Sequence, residues 1–258
     1  MVPAGEVRRV SDQVLGRIVA GAYPVGLRLP SESELAAEFS CGRSTVREAL
    51  RYLTGLGVVM SKRGSGARVL DFRREGTPAL LPWYVLAGRF DRPADALARE
   101  LLRVRTLLAC EAVRLAALYG DRRGLALARA TLDRAPSLAN DAVAHVDNDL
   151  DLFKALVGAS AIWPAVWLSN GFWGPMRELQ RQINTTLPFI PPDYQTVMER
   201  VLDAVERRDA AAAEAELAAF YKRVDATLLE ALSAMLGAQE QPRGGAAQLP
   251  SSSPGVDP

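Results

Sequence analysis

Histidine and cysteine are scarce in the 258-residue sequence, which holds one histidine and two cysteines. A site built from several histidines is therefore excluded, and a histidine-based catalytic triad would depend on His145 alone. Cys41 and Cys110 each lack a second cysteine nearby, so the sequence predicts neither a metal knuckle nor a redox pair. We interpret both as reduced thiols that fill small apolar holes.

Long apolar runs are also missing, since none reaches the roughly 18 residues that a membrane span needs. The first six residues lack a basic segment that leads into an apolar one, which disfavours a secretion signal. We therefore expect a cytoplasmic protein. Its length and its 49% content of hydrophobic residues are enough for two domains with cores of their own.

Net charge is close to zero, at +1, but the charges are unevenly distributed. Residues 1–70 hold ten Arg or Lys against six acids, which leaves 21 against 24 in the remainder. A basic first part is compatible with nucleic-acid binding, and a solvated surface with uneven charges explains it equally well. The motifs within residues 1–70 decide between these explanations.

The first part of the chain has the pattern of three helices. Ser31 and Glu34 have the spacing of a capping box, which predicts that a helix begins there, and Gly21 is placed to end the helix before it. A three-residue turn, 40–42, separates the second helix from the third. The predicted helices are Val7–Ala20, Ser31–Phe39 and Arg43–Gly55.

Two short strands follow, at Gly57–Met60 and Ala67–Leu70, joined by a tight polar turn. Two short helices with a three-residue turn between them, followed by a hairpin, predict a winged helix-turn-helix. In such a unit the start of the second helix enters the major groove of DNA, and the hairpin tip lies along the adjacent minor groove. The candidate DNA-binding residues are Arg43, Ser44, Thr45, Arg47, Arg51, Lys62, Arg63 and Gly64.

The order of these motifs is more specific than any one of them, because a charged helix face or a basic turn is usually just solvated. Together they resemble the winged-helix domain of the GntR family of bacterial repressors and activators. The resemblance covers residues 8–70 and is carried by Leu29–Ala36, Arg43–Leu53, Gly57 and Arg63–Gly66. It implies that Arg43, Ser44, Thr45, Arg47, Arg63 and Gly64 occupy the family's DNA-contacting positions. Ser33 and Gly42 depart from the family pattern, which usually has an arginine and a Ser or Thr cap there.

Beyond Pro93 every substantial segment has a helical pattern, and the predicted helices are 94–119, 122–134, 139–158, 163–186, 192–208 and 210–236. Residues 71–92, which mix prolines and charges with large apolar residues, are expected to form a linker that leads into the helical part or packs on it. The Pro-, Gly- and Ser-rich tail, residues 237–258, is expected to be disordered. The predicted fold is mostly α, with a winged helix-turn-helix domain at residues 1–70 and an all-helical bundle at residues 93–236.

The helical part resembles the FadR branch of the GntR family, whose C-terminal bundle forms dimers and binds an effector, usually an organic acid or an acyl-CoA. The resemblance is carried by Val104–Thr106, Arg114–Ala117, Phe153–Leu156, Ala204–Val205 and Asp209–Ala211. Many members of this branch hold a divalent metal with one Asp and three His. The aligned positions of this chain are Leu150, Lys154, Met198 and Phe220, so the resemblance implies neither a metal nor another cofactor.

An acidic effector needs a cation inside the bundle, because an unpaired buried anion is costly. Arg105 is the first candidate, and the others are Lys154, Arg177, Arg181, Asn184 and Tyr221. Four large aromatic residues within eleven positions can line an apolar pocket or pack in the core: Trp163, Trp167, Phe172 and Trp173. His145 has no obvious partner, and we expect it to pack or to lie on a helix surface.

These observations predict a DNA-binding transcription regulator, a repressor rather than an activator, that binds an inverted-repeat operator as a homodimer under the control of a small effector. The alternative is a helical ligand-binding or assembly protein with a vestigial DNA-binding head, which Ser33 and Gly42 support. An enzyme is not expected, because Asp147, Asp149 and Asp151 would point to different sides of one helix and no nucleophile motif is present.

Overall fold

The computed structural model describes residues 5–62, 66–86 and 93–240, and it confirms the mostly helical fold with a winged helix-turn-helix at the N-terminus and a helical bundle at the C-terminus. The helices and strands of these residues are α1 (Gly5–Val19), α2 (Glu32–Glu38), α3 (Arg43–Gly55), β1 (Val59–Lys62), β2 (Gly66–Val69), α4 (Phe72–Glu75), α5 (Leu81–Leu86), α6 (Ala94–Tyr119), α7 (Arg122–Leu132), α8 (Ala142–Ala159), α9 (Trp163–Thr186), α10 (Tyr194–Glu206) and α11 (Ala210–Glu240). Short 3₁₀ turns lie at Pro78–Leu80 and Ala135–Leu138.

Helices α1 to α3 and the hairpin form the head, and the capping box at the start of α2 is present. The Ser31 hydroxyl accepts a hydrogen bond from the Glu34 amide (3.3 Å), and the Glu34 carboxylate accepts one from the Ser31 amide (2.7 Å). Helix α3 begins and ends where the sequence predicts. The apolar faces of the three helices meet in a core in which Leu15, Leu35 and Leu53 have no exposed surface.

The hairpin pairs β1 with β2 in antiparallel register, with Val59 opposite Val69 and Lys62 opposite Gly66. Strand β1 begins two residues later than predicted, because the amides of Gly57 and Val58 still donate to carbonyl oxygens at the end of α3. The segment 26–29 also bonds to β2, so β2 is hydrogen-bonded along both of its sides and the wing is attached to the head through this segment.

Residues 71–86, which we call the connector, are folded and not merely a linker. Leu80 belongs to the core of the head, and Phe72, Trp83 and Tyr84 pack against that core. The connector also binds the end of α3, because the Thr77 amide donates to the Leu56 carbonyl and the Thr77 hydroxyl donates to the Gly55 carbonyl, both at 3.0 Å. On its other side the connector packs against α9. It therefore joins the recognition helix to the helical bundle through direct contacts.

Helices α6 to α11 form the second unit, which we call the body. Helix α6 packs against α8, α10 and α11, and Ala112, Ala116 and Ala213 let these helices approach closely in the core. Leu156 and Leu217 fill the space around them. Helix α9 packs on α8 and the connector and leaves internal space between itself and α6.

Helix boundaries in the body follow the sequence closely, and the two largest differences are at the start of α8 and the end of α11. Helix α8 begins at Ala142 and not at 139, because the Asp141 carboxylate caps it by accepting the Ala144 amide at 2.9 Å. Helix α11 continues to Glu240, so the first four residues of the predicted tail are helical, and residues 241–258 lie outside the described residues. None of the described helices is long and apolar enough to cross a membrane.

Gly57 lies where the end of α3 meets the connector, and its backbone has φ +74°. A Cβ there would lie 1.9 Å from the carbonyl oxygen of Glu75. We expect Gly57→Ala to lower the free energy of unfolding of the head by about 2–4 kcal/mol, because it adds both backbone strain and a clash. Urea denaturation followed by circular dichroism measures this loss.

Gly55→Ala is the matched control for this substitution. Nothing lies within 4 Å of a Cβ at Gly55, and alanine favours a helix over glycine by up to about 1 kcal/mol. Equal stability of the two variants would contradict the close approach of the connector to Gly57.

Candidate DNA-binding surface and effector cavity

The start of α3 is exposed and suited to an anion. Arg43 and Ser44 are exposed, and the Thr45 hydroxyl donates to the Glu6 carboxylate at 3.2 Å. Gly42 has no side chain to cap the first amides of α3, and the first turn of the helix carries no acidic residue. The first amides and the positive end of the helix dipole therefore lie at this exposed end of α3, which also carries the exposed Arg43.

Arg47 and Arg51 lie further along α3 and are held by carboxylates on the surface. Arg47 pairs with Glu32 of α2 at 2.7 Å, and Arg51 pairs with Glu48 one turn earlier on its own helix. Exposed ion pairs of this kind contribute little free energy in water. Both arginines can therefore exchange their carboxylates for DNA phosphates at small cost.

The wing supplies further cations. Lys62 is the last residue of β1, and Arg63 and Gly64 lie outside the described residues. The Arg28 guanidinium lies against Gly66 of β2. A Cβ added to Gly66 would be only 3.1 Å from the Arg28 Nε. Arg68 was not among the candidate residues, although the alternation of exposed and buried residues along β2 places it on the exposed face.

Two adjoining cavities lie inside the body. One, about 160 Å³, is bounded by α6, α8, α9, α10 and α11, and we call it the polar cavity because its mostly apolar wall contains Arg105, His145 and Asp149. The other, the apolar chamber of about 270 Å³, is bounded by α6, α8, α9 and α11. Five residues line both: Arg105, Asp149, Met176, Gln180 and Tyr221. A ligand that reaches this shared wall can extend into either space.

Arg105 and Asp149 are the charged groups of the shared wall. Arg105 forms an ion pair with Asp225 of α11, and its guanidinium carbon lies 4.0 Å from the centre of the Tyr221 ring. Among the described residues the buried Arg105 Nε has no hydrogen-bond partner. Asp149 is surrounded by protein, with its remaining accessible surface turned to the cavities, and it accepts a hydrogen bond from the Tyr194 hydroxyl at 2.6 Å.

Burial changes the protonation of this region. It raises the pKa of Asp149 to about 6, although the Tyr194 hydrogen bond and the Arg105 charge act in the opposite direction. It also raises the pKa of Tyr194 and of Tyr221 well above their ordinary values. Burial lowers the pKa of His145, which packs edge-on against the Tyr194 ring with an unpartnered Nδ1.

Three of the six candidate effector residues line the cavities. Arg105 and Tyr221 belong to both, and Asn184 lines the polar cavity, where its amide donates to the Gln180 carbonyl at 3.0 Å. The other three do not line either cavity: Lys154, Arg177 and Arg181.

The face of α8 explains why these three cations are not in the cavities. Asp147, Asp151 and Lys154 lie on the outer face of α8, whereas Asp149 lies on the inner face. The expectation that the three acids point to different sides was wrong for Asp147 and Asp151, because residues four apart share a helix face. Arg177 and Arg181 of α9 bind Asp147 at the surface, and Arg177 also binds Asp151 at 2.6 Å. Each of these arginines already has a carboxylate partner and points away from the internal space.

The aromatic cluster of α9 divides between the cavity and the surface. Phe172 and Trp173 line the apolar chamber, as one of the two interpretations predicted. Trp163 and Trp167 are instead 64% and 67% exposed. Only the C-terminal half of the aromatic run therefore lines the chamber.

The positions aligned with the metal ligands of related proteins have no common site in this chain. Leu150 lines the apolar chamber, Phe220 lines the polar cavity, Met198 is buried in the core and Lys154 is exposed. Within the described residues there is no group of three or more His, Cys, Asp or Glu that could hold a metal ion.

The sequence reasoning missed the partners of the two charged wall residues: Tyr194, which binds Asp149, and Asp225, which binds Arg105. Asp225 lies one turn after Tyr221 on α11, and that spacing puts both on one helix face. This was a usable signal once Tyr221 was a candidate. Tyr194 has no comparable signal, because only the packing of α10 on α8 brings its hydroxyl to Asp149.

Comparisons with known proteins agree with this arrangement. Residues 6–69 match the family model described as bacterial regulatory proteins, gntR family, and residues 100–223 match the FCD domain. The chain is similar to the putative L-lactate dehydrogenase operon regulatory protein of Escherichia coli K12, at 28% identity over 86% of this chain and 87% of that protein. It is also similar to the histidine utilization repressor of Pseudomonas aeruginosa PAO1, at 30% identity over 58% of this chain and 54% of that protein.

Another relative is the Glc operon transcriptional activator of Escherichia coli K12, at 33% identity over 44% of this chain and 42% of that protein. Among solved structures, Lar of Listeria monocytogenes has a TM-score of 0.56 at 17% identity, over 86% of this chain and 96% of that one. At this identity the structural likeness supports the fold alone.

The raised pKa of Asp149 predicts how stability depends on pH. A carboxyl group whose pKa rises from 3.8 to about 6 on folding binds more protons in the folded state, so stability falls as pH increases through that interval. Above it the penalty reaches up to about 3 kcal/mol. Asp149→Asn removes this penalty and keeps an acceptor for Tyr194. The melting temperature of Asp149→Asn minus that of the wild type should therefore be larger at pH 8 than at pH 4.5.

Asp203→Asn provides the comparison for this experiment. Asp203 is a half-exposed carboxylate paired with Arg129 on the outside of the body. Its substitution should not reproduce the upward trend with pH. A flat difference between wild type and Asp149→Asn would mean that the Asp149 carboxyl titrates normally.

Proposed function

Because the chain belongs to the GntR family of bacterial regulators, in the FadR-like branch with an FCD domain, we propose that a small effector controls its affinity for DNA. The chain is a DNA-binding transcription regulator and not an enzyme. The finer proposal is a homodimeric cytoplasmic repressor whose effector is an organic acid or an acyl-CoA. The observation that carries it is the internal cavity at Arg105. Helix α9 forms part of the wall of this cavity and also contacts the connector to the head.

The DNA contacts that we propose lie at the start of α3 and on the wing. Arg43, Ser44 and Thr45 are at the end of α3 that enters a major groove, and Arg47 and Arg51 are in reach of phosphates along it. Lys62, Arg63 and Gly64 are the proposed wing contacts. Gly42 supports this proposal, because a cap without a side chain leaves the amides of α3 free for a phosphate.

The proposed effector carries an acidic group and an apolar part. Arg105 is the cation of the shared wall, and its unpartnered Nε is a donor for a carboxylate. The apolar chamber beside it is lined by Leu108, Phe172 and Trp173 among others, and it suits an alkyl or aromatic group. One relative is named for an L-lactate dehydrogenase operon, which supports a carboxylic acid as the class of effector.

A continuous set of contacts supports control of the head by the cavity. Met176 and Gln180 of α9 line both cavities, and α9 packs against the 3₁₀ turn and α5 of the connector. The connector in turn holds the end of α3 through Thr77 and the core of the head through Leu80. An effector that binds two arrangements of α9 unequally would thereby change the position of the recognition helix.

We propose that a second copy of the chain covers an exposed apolar face of the body. On α6 this face includes Leu107, 68% exposed, with Val104, Leu108 and Leu118, which recur at helical spacing. On α9 it continues through Trp163, Trp167 and Leu168. One head covers only a half-site, and a two-fold dimer matches an inverted-repeat operator. Leu108 and Leu168 also line the chamber, so this face borders the effector site.

The main test is a titration of fluorescent DNA from upstream of the protein's own gene. Anisotropy is measured at two salt concentrations, with and without lactate, benzoate, octanoate and acyl-CoAs. We expect selective binding that weakens steeply with salt and that one effector class lowers. Arg43→Ala should weaken specific binding by about 1–3 kcal/mol, whereas Arg114→Ala, an exposed arginine of the body paired with Glu111, should not.

Each contrary result has a distinct meaning. An absence of selective binding would favour the alternative of a vestigial head. Selective binding that no compound changes would keep the regulator but reject an acidic effector among those tested.

Dimer formation is tested with Leu107→Asp. A charge at the centre of the apolar face would be buried in both protomers, so we expect the dimer dissociation constant to rise about 100-fold or more. Sedimentation equilibrium measures the change. Leu127→Asp is the control, because Leu127 is 57% exposed on α7 and outside this face. Equal effects of the two substitutions, or none, would place the interface elsewhere.

A further inference from the structure

The Arg105–Asp225 ion pair separates the polar cavity from an open groove on the outside of the body. This outer groove runs between α6 and α11, and its lining includes Arg99, Arg103, Lys222 and Asp225. Leu102 lines both the groove and the polar cavity, whereas Arg105 lines the cavity and binds Asp225 from inside. The two charged side chains therefore form part of the wall between solvent and the internal space.

Arg105 has three different environments around one guanidinium. One Nη binds the Asp225 carboxylate, one face lies over the Tyr221 ring, and Nε is buried without a partner. The side chains of Arg105 and Asp225 are 19% and 21% exposed, so the pair is shielded but still reaches the groove. Arg105, the cation that would bind an acidic effector, is thus already paired with a carboxylate of the protein.

We propose that Asp225 is a displaceable counter-ion of Arg105, and that an anionic effector binds by driving Asp225 outward into the groove. This inference rests on the proposed function and adds the residue that sets the affinity for anions. Asp225 is a positioning residue in this scheme, because it acts on the effector through Arg105.

The balance of charge supports displacement. Arg105 stands between two carboxylates, Asp149 and Asp225, so an added effector carboxylate would place three anions around one guanidinium. Close like charges in a shielded site are strongly unfavourable. Asp149 is enclosed by protein and held by Tyr194, whereas Asp225 borders the open groove. Asp225 is therefore the carboxylate that can leave.

The groove contains cations that can receive Asp225. Lys222 precedes it by three residues on α11, a spacing that places both on one face of the helix, and Arg103 lies across the groove on α6. Within the described part of the chain neither Lys222 nor Arg103 has an ion-pair partner. Burial raises the pKa of the Asp225 carboxyl even with Arg105 beside it, which indicates that the inner position is not fully compensated. A rotation of the Asp225 side chain would replace its contact with Arg105 by contacts with Lys222 and Arg103.

The test compares a charged ligand with its neutral analogue. Octanoate and octanamide are titrated into the full chain and into Asp225→Asn by isothermal calorimetry. Asp225→Asn should bind octanoate more tightly, on the order of tenfold, because the competing charge is gone. Its affinity for octanamide should change less than about twofold. Asp203→Asn, a surface carboxylate paired with Arg129, should leave both affinities unchanged.

A second variant tests the outward position without altering the cavity. Arg103→Gln combined with Lys222→Gln removes the cations that would receive Asp225. Both residues are exposed, so the fold should be retained. We expect octanoate to bind about threefold more weakly and octanamide to be unaffected. This variant decides the question if Asp225→Asn does not fold.

The outcomes separate this inference from the proposed function. If Arg105→Gln abolishes octanoate binding but Asp225→Asn leaves it equal or weaker, Asp225 is not a competitor and only this inference is overturned. If octanoate binds neither the wild type nor Asp225→Asn, this inference is also overturned. The proposed function fails only if, in addition, no acid or acyl-CoA changes DNA binding.

Discussion

An arginine and two carboxylates meet inside a helical bundle, where charges are stable only if the protein itself neutralises them. Arg105 comes from α6, Asp149 from α8 and Asp225 from α11. These charges neutralise one another only when the three helices are packed together, so the helix packing and the charge balance depend on each other. Tyr194 and Tyr221 complete this polar centre by supplying a hydrogen bond and a ring face. Arg105, Asp149 and Tyr221 of this centre form part of the wall that the two cavities share.

The same centre explains how the body differs from the metal-binding members that it resembles. The resemblance implies a divalent cation held by one Asp and three His in those members, whereas this chain has apolar residues or an exposed lysine at the aligned positions. Here the guanidinium of Arg105 provides the positive charge beside the carboxylate of α8.

The connector gives the centre a route to the DNA-binding surface. It packs on α9, which lines both cavities, and it binds the last carbonyls of α3 through Thr77. Gly57 permits this junction, because its missing Cβ leaves space for the Glu75 carbonyl. The recognition helix and the cavity are thus connected by packed elements, with folded structure throughout residues 71–86.

The sequence by itself determined the local elements and the family. Capping at Ser31, the apolar periodicity of α3 and the helical pattern of 94–119 depend on neighbouring residues, so they are legible without a structure. Arg105 and Tyr221 could be proposed as cavity residues from the family motif and from the chemistry of an acidic effector. Lys154, Arg177 and Arg181 could not be rejected, because which face of a helix turns inward depends on its neighbours.

Only the tertiary structure decided the partners of the buried charges. Arg105 and Asp225 are 120 residues apart in the sequence, and Asp149 and Tyr194 are 45 apart, so no local rule pairs them. The packing of the connector into the head was equally hidden, since its short segments are stable only when Leu80 enters the core of the head. Local patterns specify which residues form a helix, whereas long-range packing specifies what each side chain meets.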